Sequence, residues 1–324
     1  MQLVRGNDAA AVGRGGFVSI GNFDGVHNGH KRIAQKLVDA AVAAGVPSVV
    51  MTFDPHPIQL LRPDSAPPLL SSIEDRANWL GELGVDVLMA FSTTIEMLAL
   101  KADEFFNQVV VGELAAKGMV EGPGFFFGKD RKGNVDVLAS LCQAVGIELD
   151  IVEPARWDGD LVSSSRIRSS LSDGGDVASA ASLLGRPYAV RGLVVAGEGR
   201  GRELGVPTAN LASISTLIPA DGVYVGSVVV DGRPQPAAIH VGSNPTFGEI
   251  ERKVEVHLLA FDGDLYGREL VVEFLDRVRD TRTFDSVEQL QEQLSSDIEA
   301  VWRYLEAHPA ATSGTGGGAR EEVS

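Results

Sequence analysis

The chain has little of what would place a protein in a membrane, on nucleic acid or in an oxidising compartment. Its 324 residues include one cysteine, Cys142, which excludes an intramolecular disulfide and a zinc site built from cysteines. No segment reaches the roughly 18 apolar residues that a membrane span needs, and residues 1–8 lack the apolar core of a signal peptide. Lysine and arginine number 28 against 44 acidic residues, so the net charge is −16. We therefore expect a cytoplasmic protein that binds neither nucleic-acid backbones nor membranes.

The order of the predicted elements indicates two domains of different class, as the length also suggests. Up to Val152, strands alternate with helices, which favours a parallel, doubly wound sheet. Beyond Gly185, strands follow one another, which favours an antiparallel barrel or sandwich. The predicted strands are 17–20, 48–53, 85–91, 147–152, 190–196, 222–230, 237–241, 253–261 and 270–275, and the predicted helices include 72–83, 102–114 and 135–145. A last helix follows Ser286, with a buried stripe of Val287, Leu290, Leu294, Ile298, Val301 and Leu305.

The stretch from Gly21 to His30 has the composition of a phosphate site. It follows the apolar run 17–20 and precedes residues with helical periodicity, so it is predicted to be a turn from a strand into a helix. A helix N-terminus offers unpaired N–H groups and the positive end of the helix dipole. Two imidazoles, His27 and His30, are predicted to lie at that end, and Gly29 between them lets backbone approach a ligand.

A second glycine-rich segment, residues 197–210, lies between the first two strands of the second half. Four glycines and two arginines predict a flexible, cationic loop able to fold over phosphates. Thr208 and Asn210, after the rigid Pro207, add a hydroxyl and an amide. These are hard oxygen ligands, suited to Mg²⁺ that is held together with phosphates.

Motifs in both halves resemble those of a known enzyme family. His27-Asn28-Gly29-His30, with Ser163-Ser164-Ser165-Arg166-Ile167-Arg168 later, resembles the nucleotidylyltransferase superfamily, although Ser165 replaces the usual threonine. Three further runs, 205–210, 244–248 and 254–257, resemble riboflavin kinases. This order of halves is that of the prokaryotic bifunctional riboflavin kinase/FAD synthetase family. The resemblance covers the chain to about residue 306.

The resemblance implies the fold and two reactions. The fold class is α/β, with a Rossmann-like N-terminal nucleotidylyltransferase domain (1–185) and a C-terminal six-stranded antiparallel β-barrel with a terminal helix (186–308). Residues 309–324 are expected to be a disordered tail. ATP would phosphorylate riboflavin to FMN and would then adenylylate FMN to FAD, with Mg²⁺ acting alongside ATP. The expected partners are riboflavin, FMN and ATP, and a homo-oligomer is left open.

The implied adenylylation site uses donors rather than a base. The FMN phosphate is already mostly a dianion at pH 7, so the need is to stabilise charge on the α-phosphate of ATP as pyrophosphate leaves. We assign this to His27 and His30, and we expect Arg168, also a catalytic candidate, to contact the other phosphates. Further phosphate or nucleotide contacts are expected at Gly21, Asn22, Asp24, Gly29, Ser164 and Ser165, with Asn22 and Asp24 shaping the turn or touching ligand.

The implied kinase site needs a base, because the riboflavin hydroxyl is protonated at pH 7. The resemblance assigns this role to Glu255, and strand alternation puts Glu255 on the face opposite Val254 and Val256. ATP and phosphate contacts are expected at Gly199, Arg202, Gly205, Thr208 and Asn210, with Mg²⁺ at Thr208 and Asn210. Flavin contacts are expected at Phe53, Phe125, Asn244 and Arg279.

One departure from the family pattern leaves alternatives open. The family usually has a polar residue where this chain has Gly124, and often a polar or basic one where it has Phe126. The chain could therefore be a monofunctional riboflavin kinase with a degenerate front half. A non-enzymatic, flavin-binding regulator is a further alternative. The intact motifs at His27–His30 and Ser164–Arg168 count against the first alternative, and the intact set of Thr208, Asn210 and Glu255 counts against the second.

Overall fold

The computed structural model describes residues 1–6, 10–243 and 252–309. These residues form two compact units, 1–164 and from 165 onward. The strands of the first unit are β1 (Gln2–Arg5), β2 (Phe17–Ile20), β3 (Ser48–Asp54), β4 (Val87–Ser92), β5 (Gly118–Glu121), β6 (Glu148–Ile151), β7 (Arg156–Trp157) and β8 (Asp160–Leu161). Those of the second are β9 (Tyr188–Val195), β10 (Ala209–Ala212), β11 (Gly222–Val230), β12 (Arg233–Gly242), β13 (Lys253–Leu258) and β14 (Glu269–Arg279).

The α-helices connect or flank these strands. They are α1 (Ala10–Gly13), α2 (Asn28–Ala44), α3 (Pro57–Leu61), α4 (Ile73–Glu82), α5 (Ile95–Leu98), α6 (Ala102–Phe105), α7 (Val135–Val145), α8 (Ser164–Asp173), α9 (Val177–Leu184), α10 (Arg200–Glu203) and α11 (Val287–Ala307). Short 3₁₀ turns lie at Pro63–Ser65 and Lys129–Arg131, and Phe106–Glu113 is π-helical. Within the described residues, no helix combines the length and apolar character needed to cross a bilayer.

The first unit is built on a six-stranded sheet in the order β1-β4-β3-β2-β5-β6, with every neighbouring pair parallel. Its central strands are apolar because both faces are covered. On one face, Leu37 of α2 and Leu80 of α4 pack with residues of β2 to β5. On the other, Phe105 and Leu138 of α6 and α7 pack with alternate residues of the same strands. The predicted doubly wound sheet is confirmed.

The second unit contains a closed barrel in the order β10-β13-β12-β11-β14-β9, with all pairs antiparallel. Burial alternates along β13, where Val254, Val256 and Leu258 point into the core. Asp231 and Gly232, with φ of 51° and 76°, form the predicted two-residue hairpin between β11 and β12. The six-stranded barrel with its terminal helix is therefore confirmed.

Several local predictions need correction. The expected helix 102–114 is an α-helix only to Phe105 and then π-helical. The strand expected to reach Phe261 ends at Leu258. Strand β1 was not predicted, since it is short and only half-buried. Val287, expected in the buried stripe of α11, is 45% exposed, because it lies in the first turn of that helix.

Candidate active sites

The stretch from Gly21 to His30 lies at the carboxyl edge of the parallel sheet, where the strand order reverses. β2 ends at Ile20, with β3 on one side and β5 on the other, and open α/β sheets bind ligands at such a crevice. The Ile20 N–H donates to the Glu121 carboxyl at 2.7 Å, which joins the ends of β2 and β5. Glu121 is buried, and the loss of solvation raises the pKa of its carboxyl well above the ordinary value.

His27 and His30 stack on each other at the start of α2. Their ring centroids are 3.7 Å apart and the rings are 12° from parallel. His27 Nδ1 accepts the backbone N–H of His30 at 3.3 Å and so caps the helix, which leaves Nε2 as the donor of the neutral imidazole. A Cβ on Gly29 would lie 3.1 Å from the His27 ring, so glycine lets the rings sit this closely. The pair presents two imidazoles at the positive end of a helix.

Asn22 and Asp24 differ in where their side chains point. Asp24 is 1% exposed, and its carboxylate accepts the N–H groups of Leu70 and Ser71 and pairs with Arg76. Its carboxylate therefore faces the interior, and we reassign Asp24 from a nucleotide contact to a residue that shapes the turn. Asn22 Oδ1 is buried and accepts no hydrogen bond from the described residues. Its amide oxygen remains an acceptor for a bound molecule.

The later serine motif begins at α8. The Ser164 hydroxyl donates to the Asp24 carbonyl at 2.9 Å, which ties the start of α8 to the turn. Ser165 is exposed and Arg168 half-buried on the part of α8 that belongs to the second unit. Ile167, fully buried between them, anchors that helix.

The aromatic residues expected to contact flavin lie against the core of the first unit. Phe53 and Phe125 are both half-buried against the apolar cluster on one face of the sheet. Phe126 is 47% exposed, with the Arg131 guanidinium 4.8 Å from its ring centroid. A Cβ added at Gly124 would meet nothing within 4 Å. Flavin contact at Phe53 and Phe125 stays a prediction.

In the second unit, a cavity lies between the barrel wall and α11. Leu290, Leu294 and Ile298 of α11 line it on one side, and residues of β10, β12 and β13 line it on the other. The lining includes most of the residues predicted for this half: Gly199, Arg202, Thr208, Asn210, Glu255 and Arg279. The half-buried stripe of α11 is thus the apolar wall of a site rather than part of a closed core.

Glu255 stands in the middle of a polar row that crosses three strands. The register pairs it with Asn210 on β10 and with His240 on β12. Glu255 Oε2 lies 3.5 Å from His240 Nδ1. Because Val254 and Val256 are buried, Glu255 faces the cavity as predicted. The row places a carboxylate, an imidazole and an amide side by side on the wall.

The glycine-rich segment between β9 and β10 forms an edge of the cavity, and its glycines allow close approach. A Cβ at Gly197 would overlap the Asn210 amide, and one at Gly201 would lie 2.5 Å from the Val206 carbonyl. Gly205 has a φ of +81°, so it supplies the turn that leads the chain towards β10.

His257 of β13 fastens this segment to the barrel. Its Nδ1 lies 2.7 Å from the Pro207 carbonyl, to which it donates as the Nδ1–H tautomer. Pro207 directly precedes Thr208, so this bond holds Thr208 on the cavity wall near Glu255.

Arg279 is held by a carboxylate of α11. Its Nε and one terminal nitrogen donate to the two oxygens of Asp297 at 2.8 and 2.6 Å. Asp297 also accepts from Gln293 at 2.6 Å and is 3% exposed. This bidentate pair joins α11 to β14 at the cavity.

Comparison with known proteins decides the family. A family model described as FAD synthetase matches residues 10–166, and one described as riboflavin kinase matches residues 184–305. The bifunctional riboflavin kinase/FMN adenylyltransferase of Pseudomonas fluorescens is 38% identical over 93% of this chain and 97% of its own. The chain belongs to the bifunctional riboflavin kinase/FMN adenylyltransferase family. The Escherichia coli family member is 35% identical over 92% of this chain and 96% of its own.

A solved structure shares the fold of this family member over almost its whole length. It is a crystal structure of a macrolide-efflux protein from Streptococcus pneumoniae, with a TM-score of 0.82 and 34% identity, covering 93% of this chain and 99% of its own. The family models place both matched segments in the predicted order. The predicted domain boundary at residue 185 stays a prediction, as does the flavin contact at Asn244, which lies outside the described residues.

Motif matching missed several residues that line or support the two sites of this family member. Arg76 and Asp297 were detectable in principle: each is a charged residue at apolar spacing, with Ala77 and Leu80 around the first and Val301 near the second. His240 could not be predicted from the sequence. Only the strand register shows that this single histidine lies beside Glu255 on the cavity wall.

Proposed function

We propose that the barrel cavity is a riboflavin kinase site and that the turn at the sheet edge is an FMN adenylyltransferase site. The protein phosphorylates riboflavin to FMN with ATP, and adenylylates FMN with a second ATP to give FAD and pyrophosphate. The observation that carries the proposal is that each unit holds its own cluster of reactive side chains: Glu255 with Asn210 and His240 in one, and the His27–His30 stack in the other.

In the kinase site, Glu255 is the base. The riboflavin 5′-hydroxyl must lose a proton as it attacks the γ-phosphate of ATP, and a positioned carboxylate accepts it. His240 Nδ1 lies 3.5 Å from that carboxylate on the neighbouring strand. The apolar wall of Leu290, Leu294 and Ile298 suits a flat aromatic ring system, and Arg279 lies on the same cavity.

Thr208 and Asn210 are the residues that would hold Mg²⁺ with ATP. Both carry hard oxygen donors, both line the cavity, and Glu255 is the register neighbour of Asn210. The ion supplies charge neutralisation on the phosphate oxygens. The Gly/Arg segment, with Gly199 and Arg202 on the cavity, adds backbone N–H groups and a guanidinium for the phosphates.

In the adenylyltransferase site, the histidine pair stabilises charge rather than moving a proton from the nucleophile. The FMN phosphate is mostly dianionic at pH 7, and attack on the α-phosphate of ATP builds negative charge there. The imidazoles of His27 and His30 are the proposed donors to that charge, and the N-terminus of α2 adds its dipole. Asn22 Oδ1 is a buried acceptor for a nucleotide N–H or hydroxyl. Phosphate contacts at Ser164, Ser165 and Arg168 stay predictions.

The test is product analysis with the unaltered protein. It is incubated with riboflavin, ATP and Mg²⁺, and then with FMN, ATP and Mg²⁺, and the flavins are separated by chromatography. Appearance of FMN and then FAD is expected. FMN without FAD, from either substrate, would favour the monofunctional kinase. Flavin binding with no product would favour the regulator. Omission of Mg²⁺ should abolish both products.

A further inference from the structure

Between β2 and α2 the backbone adopts a conformation that its own residues disfavour. Phe23 and Val26 have φ of +47° and +38°, and neither is a glycine. Val26 is β-branched, a residue type for which this region is an outlier. Such conformations persist only where the surrounding structure imposes them. The turn that presents His27 is therefore held by something outside itself.

Arg76 of α4 is positioned to hold it. The side chain is 2% exposed, and each of its five N–H groups has an acceptor. The acceptors, at 3.0 to 3.4 Å, are Ser71 Oγ, the Ser71 carbonyl, the Asn22 carbonyl, Thr52 Oγ1 and Asp24 Oδ1. Because every N–H group of the planar guanidinium has an acceptor, the orientation of the Arg76 side chain is fixed as well as the position of its charge.

The acceptors of Arg76 lie on both sides of Phe23, one of the two strained residues. The Asn22 carbonyl precedes Phe23, and the Asp24 carboxylate follows it. Ser71 Oγ, which accepts from Arg76, in turn accepts the Gly25 N–H at 2.8 Å, one residue before Val26. These bonds therefore reach the turn at three residues that precede His27: at the Asn22 carbonyl, at the Asp24 carboxylate and, through Ser71, at the Gly25 N–H.

We infer that Arg76 is a positioning residue for adenylylation: it imposes the turn that sets His27 and His30 against the α-phosphate of ATP. The inference rests on the proposed adenylyltransferase function. Arg76 acts through the backbone, away from substrate, so its loss affects the transition state, in which the histidine donors are needed, more than the binding of ATP or FMN.

Arg76→Lys separates this role from a merely structural one. Lysine keeps the charge that neutralises Asp24 but cannot serve all five acceptors. We expect the kcat for FAD formation from FMN to fall by about 10- to 100-fold, the usual result of displacing catalytic groups by about 1 Å, with KM values within about 3-fold. Thr52→Val, which removes one acceptor at nearly constant volume, should lower kcat by a smaller factor, again without a change in KM.

Circular dichroism of the same samples reports on fold, their kinase reaction reports on the amount of active protein, and Arg14→Lys is the matched control. Arg14 lies in the same unit, where it donates to the carbonyls of Gly112 and Glu113, and its substitution should leave both reactions unchanged. A kcat within 2-fold of normal in Arg76→Lys and in Thr52→Val would overturn the inference while leaving the proposed function intact. Raised KM values at unchanged kcat would also overturn it. Absence of FAD formation in the unaltered protein would instead count against the function itself.

Discussion

Glu121 is a buried acid beside the end of β2, where its carboxyl oxygen accepts the Ile20 N–H. Burial raises its pKa, so the folded protein keeps a proton that the unfolded chain releases as pH rises above the ordinary glutamate value. Stability from this group is therefore present at low pH and is lost as pH rises through the folded pKa.

Glu121→Gln should remove that pH dependence. Glutamine keeps the shape and the acceptor for Ile20 but has no proton to lose. We expect the variant to gain stability relative to the parent as pH rises from about 5, by up to about 1.4 kcal/mol per pH unit within the window. Urea unfolding at a series of pH values measures it, with the exposed Glu82→Gln as a control for net charge. Parallel curves for parent and Glu121→Gln would contradict the argument.

Gly124 is the second single position with a measurable consequence. The site of a new Cβ is open, so Gly124→Asn should fold normally. If the missing polar group bonded substrate, restoring it should lower the KM for FMN or ATP in FAD formation by about 2- to 10-fold, the value of one hydrogen bond of about 0.5–1.5 kcal/mol. The kcat and KM of the riboflavin kinase reaction should not change. Equal KM values would show that position 124 does not touch substrate. FAD formation that appears only in the variant would favour a degenerate front half.

Motifs predicted residues that line the candidate sites. They missed buried residues that support those sites from the protein interior. His27, His30 and Glu255 sit where the spacing placed them, because a strand end, a helix start and strand alternation are local properties. Asp24 was expected either to shape the turn or to touch ligand, and the choice could not be made from the sequence, because its pairing with Arg76 joins residues 52 positions apart. Contacts of that range are not readable from local sequence.

At the scale of single elements, α11 is the one whose attachment shapes a site. Asp297 joins it to Arg279 of β14. Asp297→Asn should cost about 1.5–3 kcal/mol of stability, since a hydrogen bond between charged groups is lost, and should raise the riboflavin KM because the apolar wall of the cavity is displaced. Denaturant unfolding and kinase kinetics test it. Glu299→Gln, on an exposed position of the same helix, should change neither. Normal stability and KM in Asp297→Asn would show that α11 is held by its apolar contacts alone.

Strand β12 shows why the ends of some strands were not predicted correctly from the sequence. The prediction began at residue 237, yet the strand starts at Arg233 and includes Pro234 and Pro236, a residue type that usually interrupts a ladder. Val230 and Arg233 are the pair that closes the hairpin. The nitrogens of Pro234 and Pro236, which carry no hydrogen, therefore face away from β11. The Pro236 carbonyl accepts from Leu259 on that other side. Only the strand register shows that these prolines remove no hydrogen bond between β11 and β12.

For the whole molecule, the account requires two sites that work independently. Fold class and function were both predicted correctly, because each half carries its own motifs and its own periodicity. The kinase cavity is formed entirely by residues of the second unit, and the histidine pair lies in the first. Removing either group should therefore stop one reaction and leave the other.

The decisive measurement follows both reactions in two reciprocal variants by flavin chromatography. His27→Ala with His30→Ala should abolish FAD formation from FMN and leave FMN formation from riboflavin unchanged. Glu255→Gln should slow FMN formation by roughly two to four orders of magnitude, the usual effect of losing a general base, and leave FAD formation from supplied FMN unchanged. Loss of both activities in either variant, with the fold intact by circular dichroism, would contradict the two-site account, as would a near-normal kinase rate in Glu255→Gln.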